Sequence, residues 1–214
     1  MPFKTPSAAS EYIRAHLRPE TDPLLCEITA YADEHFVPVL LPESAALLKQ
    51  IVGFVKPEKS LEIGTAIGYS SLLILRSGGK KLYTIEIKED LSDRAKSYFD
   101  RAGVSDRVTC FLGDAVEILP IMDGSFDFIF MDGPKTKYPF FLPYLKKMLK
   151  IGGVLLCDNV LYDGMATGEH ELKHSKSTIV NGLDKFLTEL CADEDFETSI
   201  LPVGDGMSLS VKKR

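Results

Sequence analysis

The chain has 214 residues, a net charge of −6, and 45% hydrophobic against 26% charged residues, the balance of an ordinary globular protein long enough to build a core without disulfides or structural metal. No apolar run approaches the roughly 18 residues needed to cross a bilayer, so a helical membrane protein is excluded. The acidic balance argues against a dedicated sequence-independent nucleic-acid binder, yet leaves room for an enzyme that meets RNA through one local patch.

The opening Met1-Pro-Phe-Lys-Thr-Pro6 lacks the apolar stretch of a signal peptide, and a cytoplasmic location is expected. One domain over 1–214 is expected, with 1–56 as a helical N-terminal extension. Asp22-Pro23 reads as an N-cap and first helical position. Leu24, Leu25, Ile28, Tyr31 and Ala32 then recur at helical spacing, a face suited to packing on the core or on a sister subunit, hence an expected homodimer. The loop Val37-Pro-Val-Leu-Leu-Pro42 leads into a second helix through Leu47, Leu48, Ile51 and Val55.

From Lys59 the pattern alternates. Strands are predicted at 60–63, 81–86, 107–112, 126–132 and 153–158, with helices at about 69–77, 89–102, 115–120 and 138–150 between them. After a helix near 177–192, two strands at about 197–203 and 207–212 flank Gly204-Asp-Gly206, a terminal antiparallel hairpin. The fold class is therefore α/β: a Rossmann-like, doubly wound, mostly parallel seven-stranded sheet covered on both faces. Cys26, Cys110, Cys157 and Cys191 form no C-x-x-C pair and read as structural, and the four histidines lack zinc-ligand spacing.

Ligands of open α/β sheets bind beyond the carboxyl ends of the strands. The first strand runs into Glu62-Ile-Gly-Thr-Ala-Ile-Gly-Tyr-Ser70, where Gly64 and Gly68 let the backbone approach a ligand and the helix starting at Gly68-Tyr69-Ser70 offers free N–H groups. Glu86 ends the second strand, placed to accept ribose hydroxyls, and Gly113-Asp114-Ala115 ends the third, placed for an adenine amino group. Ala66 breaks the G-x-G-x-x-G pattern, which favours a nucleoside cofactor without a pyrophosphate.

The fourth and fifth strands end in Asp132 and in Asp158-Asn159, two carboxylates and an amide oxygen that suit Mg²⁺, with Mn²⁺ or Ca²⁺ as substitutes. Read as spacing alone, these residues serve equally as helix caps or loop anchors. Lys135 follows Asp132 closely; beside a cation and a sulfonium it would be pushed toward its neutral form and could take an acceptor's proton, although a solvated lysine is the ordinary alternative.

These residues resemble the cation-dependent class I methyltransferases of the catechol and caffeoyl-coenzyme A O-methyltransferase type, over nearly the whole chain. The resemblance implies S-adenosylmethionine as cofactor, contacted at Leu40, Gly64, Ser70, Glu86, Asp114, Ala115 and Asp132. It implies Asp132, Asp158 and Asn159 as metal ligands, and Lys135 as base. Within that family, Tyr31-Ala-Asp-Glu-His35, Val37-Pro38, Asp158-Asn-Val-Leu161 and Pro202-Val-Gly-Asp-Gly206 look most like bacterial tRNA 5-hydroxyuridine methyltransferases, which implies a tRNA anticodon loop as partner. Two departures stand out. Gly133-Pro134 replaces an Ala-Ala pair before Lys135, and Glu169 and Glu171 dilute a basic segment in which Lys173, His174 and Lys176 remain. A small catechol-like phenol is the alternative acceptor. A nicotinamide-dependent oxidoreductase and a non-catalytic binding module are readings from other classes.

Overall fold

The computed structural model describes residues 8–162, 164–168 and 174–214. The leader forms three helices, α1 (Ala8–His16), α2 (Pro23–His35) and α3 (Pro42–Val55). α2 starts where Asp22 Oδ1 accepts the N–H groups of Leu24 and Leu25 at 2.9 and 3.3 Å, and Pro23 fills a first-turn position that needs no N–H. It ends at Phe36, whose left-handed backbone (φ 55°) returns its N–H to Ala32. The expected apolar face is used at home: Leu25, Ile28 and Ala32 are buried in the core, with Leu24 and Tyr31 packed at its margin. α1 is tied to α3 by a bidentate ion pair, Arg14 Nε and Nη2 donating to Glu43 Oε2 and Oε1 at 2.7 and 3.0 Å.

Strands and helices then alternate as β1 (Lys59–Ile63), α4 (Tyr69–Arg76), β2 (Lys81–Glu86), α5 (Glu89–Arg101), β3 (Val108–Leu112), α6 (Ala115–Ile121), β4 (Phe126–Met131), α7 (Tyr138–Met148), β5 (Leu149–Cys157), α8 (Ser177–Ala192), β6 (Phe196–Leu201) and β7 (Met207–Lys212). The seven strands form one sheet in the order β3-β2-β1-β4-β5-β7-β6. Pairing is parallel from β3 through β5, and antiparallel where β7 joins β5 and β6. Side chains alternate across the sheet. Phe128 and Phe130 of β4 face the layer of α2 to α5, while Ile129 and Met131 face α7 and α8. No helix among the described residues is long and apolar enough to cross a membrane.

The structure corrects three expectations. The helix expected to reach 150 stops at Met148, and β5 begins at Leu149 rather than near Gly153. Lys212, at the end of the hairpin, caps α7 by donating to the carbonyls of Lys146 and Leu149 at 2.8 and 2.9 Å, a partner too distant in sequence for periodicity to register. β6 ends at Leu201, before Pro202, which has no N–H for the ladder. Cys157 is buried and Cys110 half-buried, but Cys26 and Cys191 are exposed, so the packing role expected of all four holds for two. The opening Met1–Pro6 and the stretch carrying Glu169, Glu171 and Lys173 lie outside the described residues.

Candidate active site

Parallel pairing carries the chain one rung past each strand. Gly113 N–H donates to Glu86 O at 2.8 Å, Gly64 to Ile85 O at 3.0 Å, Asp132 to Ile63 O at 2.9 Å and Asp158 to Met131 O at 3.0 Å. That last rung lines up Gly113, Glu86, Gly64, Asp132 and Asp158 along one edge of the sheet, in the order of their strands.

The glycine turn is shaped by close approach. At Gly64 (φ 98°) a Cβ would overlap the carbonyl oxygen of Asp132, and at Gly68 (φ 84°) it would stand 2.7 Å from the Phe99 ring. Glu86 fastens the turn to β2: its Oε2 accepts the Ala66 N–H at 2.8 Å and its Oε1 accepts those of Ile87 and Lys88, each at 3.0 Å. A carboxylate has about four acceptor sites. With three backbone donors already in place, the expectation that Glu86 takes both ribose hydroxyls narrows to about one unshared site. Asp114 caps α6, accepting the Val116 N–H at 2.8 Å through Oδ1, so its role as a cap is realised and one carboxylate oxygen is left over.

Leu40, Tyr69, Ser70 and Ala115, all expected to contact the cofactor, are buried in this structure. Leu40 is 6% exposed and packed in the core, and Tyr69 is 8% exposed, its phenol turned into that core. Burial pushes the Tyr69 hydroxyl up to about 12. The Ser70 hydroxyl donates to Glu62 Oε1 at 2.6 Å. Ala115, the residue after Asp114, is buried.

Asp132 and Asp158 stand at neighbouring strand ends with different surroundings. Asp158 is 3% exposed, and burial, then the like charge of Asp132, pushes its carboxyl well above the usual range, against the pull of Lys135 and the Asn159 N–H. Asn159 donates that N–H to Asp158 Oδ1 at 2.8 Å from a left-handed backbone (φ 59°), which asparagine tolerates. The Tyr138 hydroxyl, fully buried, lies 3.0 Å from Asp158 O and 3.2 Å from Met131 O and clamps the two strand ends together. Lys135 Nζ donates to Asp132 Oδ1 at 2.5 Å. As the donor in this bond it carries a proton that it must give up before it can accept another. Pro134 starts the short 3₁₀ turn that presents Lys135, and a Cβ at Gly133 would stand 3.0 Å from Ile63 Cγ2, close enough that the Ile63 side chain would have to shift slightly.

The donor set fits a hard divalent cation. Lys135 balances one of two adjacent carboxylates, one of them buried, and a buried uncompensated carboxylate is costly. Among the described residues no three His, Cys, Asp or Glu side chains converge on one point, so the Asn159 amide and non-protein oxygens would have to complete the shell.

Two residues escaped the sequence reading. Glu62, fully buried under the turn, receives the hydroxyls of Ser70, Ser71 and Thr84, a role signalled only by an acid between Leu61 and Ile63 in a buried strand. Ile87 is 61% exposed directly after Glu86, an apolar side chain left at the surface beside the strand-end acid.

The sequence profile of the O-methyltransferase family matches residues 21–213. Catechol O-methyltransferase of Niastella koreensis is 29% identical over 218 positions, covering 96% of this chain and 97% of that protein. Caffeoyl-CoA O-methyltransferase 1 of Eucalyptus globulus is 32% identical over 206 positions, covering 89% and 81%. Among solved structures, the O-methyltransferase from Bacillus cereus in complex with SAH superposes with a TM-score of 0.83 at 27% identity, covering 97% of this chain and 98% of that one. An O-methyltransferase of tomaymycin synthesis from Streptomyces achromogenes, in complex with SAM, gives 0.81 at 27% identity, covering 97% and 96%. Profile and relatives together span the sheet edge and the glycine turn, and the chain belongs to the S-adenosylmethionine-dependent O-methyltransferase family.

Proposed function

We propose that this enzyme methylates the 5-hydroxyl of 5-hydroxyuridine at the wobble position of tRNA, giving 5-methoxyuridine. The observation that carries the chemistry is the pair of carboxylates at the ends of β4 and β5, one buried, with Asn159 and Lys135 beside them. Asp132, Asp158 and Asn159 would hold Mg²⁺, or Mn²⁺ or Ca²⁺ in its place, which when bound lowers the pKa of a coordinating hydroxyl and orients it. In 5-hydroxyuracil the 5-hydroxyl adjoins the 4-carbonyl, so the two oxygens form a vicinal pair as in a catechol. Gly64, Gly68, Glu86, Gly113 and Asp114 would seat the cofactor over β1 to β3, next to the strands that end in the acid pair. Lys135, released from Asp132 and having lost its own proton to solvent, would take the acceptor's proton, and the acceptor oxygen would attack the methyl carbon in line with the departing sulfur.

The tRNA assignment draws on the segments Tyr31–His35 and Pro202–Gly206. It is supported by Lys176, whose Nζ stands 5.9 Å from the Tyr162 ring. A small catechol-like phenol is the second reading, favoured by the relative named for catechol and by the net charge of −6. Membership of the family leaves no ground for the nicotinamide-dependent alternative. Mass spectrometry of tRNA nucleosides from a deletion strain separates the two acceptors: 5-methoxyuridine-type modification should disappear, and its persistence without a redundant enzyme would overturn the tRNA reading. Pairing as a homodimer is also proposed, on surface other than the α2 face that packs on the core; Tyr12 and Ile13 of α1 are exposed and apolar, and sedimentation would decide.

A further inference from the structure

The turn joining β6 to β7 entered the function only as a stretch of sequence, and its side chain has been given no role. Its tip is Gly204-Asp205-Gly206, and it is wedged from two sides. Val160 and Leu161 donate their N–H groups to Gly206 O and Asp205 O at 2.9 and 3.0 Å, so the turn is laid on the chain that directly follows Asp158 and Asn159. At Gly206 (φ 85°) a Cβ would overlap the Leu161 side chain, and at Gly204 (φ 59°) it would overlap the Ser44 hydroxyl of α3. Asp205 is therefore the only side chain at the tip, half-buried and fixed in position by both neighbours. Its negative charge reaches Asp158 on the sheet and Arg14 on α1.

An aspartate in a glycine turn usually serves its own backbone. Here its place along the edge suggests more. The expected cofactor residues lie over β1 to β3, the acid pair over β4 and β5, and Asp205 beyond them beside β7. With the cofactor over β1 to β3 as proposed, in-line transfer would put the body of the acceptor on the side of the attacked oxygen away from the sulfur, toward β7. Asp132, Asp158 and Asp205 do not converge on a common point, so Asp205 is not a third ligand of the same ion.

We propose that Asp205 is an acceptor-binding residue that selects hydroxypyrimidines over catechols by accepting the ring N3–H beside the 4-carbonyl. An ionised carboxylate only accepts hydrogen bonds. A catechol presents a C–H at that position and a cytosine-type ring a lone pair, and neither satisfies the carboxylate. This proposal rests on the uridine reading of the same site.

The test compares wild type, Asp205→Ala and Asp205→Asn on two acceptors: an anticodon stem-loop carrying 5-hydroxyuridine at the wobble position, and catechol. Losing a hydrogen bond to a charged group should lower kcat/KM on the stem-loop about 10–100-fold, mostly through KM, with catechol turnover within about twofold. Asp205→Asn, which keeps an acceptor oxygen and the turn, should fall between wild type and Asp205→Ala. Cofactor affinity measured by titration should be the same in all three proteins. If wild type methylates the stem-loop but the substitutions lower both acceptors equally, or neither, the role of Asp205 is overturned and the uridine reading stands. If wild type methylates catechol alone, the uridine reading falls and this proposal with it.

Discussion

Replacing Glu62 with Gln tests whether the acid beneath the glycine turn is held protonated by its surroundings. Glu62 is fully buried, and Ser70, Thr84 and Ser71 direct hydroxyls at it, the first two at 2.6 and 2.7 Å. Burial and the charge of Asp132 push its carboxyl up to about 7, while the three hydroxyls pull the other way. A carboxyl raised in this way lets the folded protein keep a proton that the unfolded chain has released. Its contribution is therefore fully present below the ordinary value of 4.5 and is lost as pH rises through about 7. At about 1.4 kcal/mol per tenfold change in proton affinity, the span from 4.5 to about 7 is worth about 3 kcal/mol.

Gln has no proton to lose, and its amide can donate to hydroxyls that rotate to accept it. Urea unfolding of wild type and Glu62→Gln, followed across the window from 4.5 to about 7 without added divalent ions, reads the effect directly. Wild-type stability minus variant stability should drop by about 3 kcal/mol from the acid end of the window to the neutral end. Groups common to both proteins, Asp158 included, cancel in that difference. A constant difference would mean that Glu62 is already ionised at the acid end, the hydroxyl donors having outweighed burial. A difference that grew with pH would reverse the sign and refute the reasoning altogether.

Lys135→Ala should lower kcat about 10²–10⁴-fold with cofactor affinity intact, and a loss confined to acceptor KM would make Lys135 a positioning group. Gly64→Ala should cost about 1–2 kcal/mol for its left-handed backbone and roughly 1–3 more for the clash with the Asp132 carbonyl, and should weaken cofactor binding. Gly152→Ala (φ 78°), whose Cβ would meet nothing within 4 Å, is the control and should show the backbone strain alone in denaturant unfolding. Asp22→Ala should destabilise the protein by about 1–2 kcal/mol through loss of the α2 cap and leave the activity of the folded enzyme unchanged; a fall in kcat at full folding would contradict that purely structural role.

The sheet was legible because its signals are local. Alternation of short apolar strands with amphipathic helices reports a parallel sheet, and Asp22-Pro23 reports the start of α2 through hydrogen bonds made within one turn. The end of α7 was not legible, because Lys212 caps it from the far end of the chain. The site divides along the same line. Strand-end acids such as Glu86, Asp132 and Asp158 show themselves by position. How they are employed depends on partners from other strands, so the three N–H donors on Glu86 and the burial of Leu40 and Tyr69 could not be read. Glu62 is the sharpest case. An acid between Leu61 and Ile63 stands out in a buried strand, but what it holds is not visible until Ser70, Ser71 and Thr84 are folded around it.

On the proposed reading, the strand order brings cofactor and acceptor chemistry together at one point of the sheet edge. From β1 the chain moves outward through β2 to β3, then returns to place β4 on the other side of β1. At that reversal the connections leave β1 and β4 toward opposite faces and open a crevice between the strand ends. Gly64 and Asp132 are the residues on its two lips, and the missing side chain of Gly64 lets the Asp132 carbonyl approach until no Cβ would fit. The cofactor edge and the acid pair are thus one rigid unit joined by backbone contact and by the Asp132 N–H to Ile63 bond at 2.9 Å. Methyl transfer needs donor and acceptor fixed within a few tenths of an ångström, on the order of what preorganised sites achieve. A side chain at position 64 would therefore be expected to loosen cofactor binding and the acid pair together, whereas a change at Asp205, on the far side of the pair, should affect the acceptor alone.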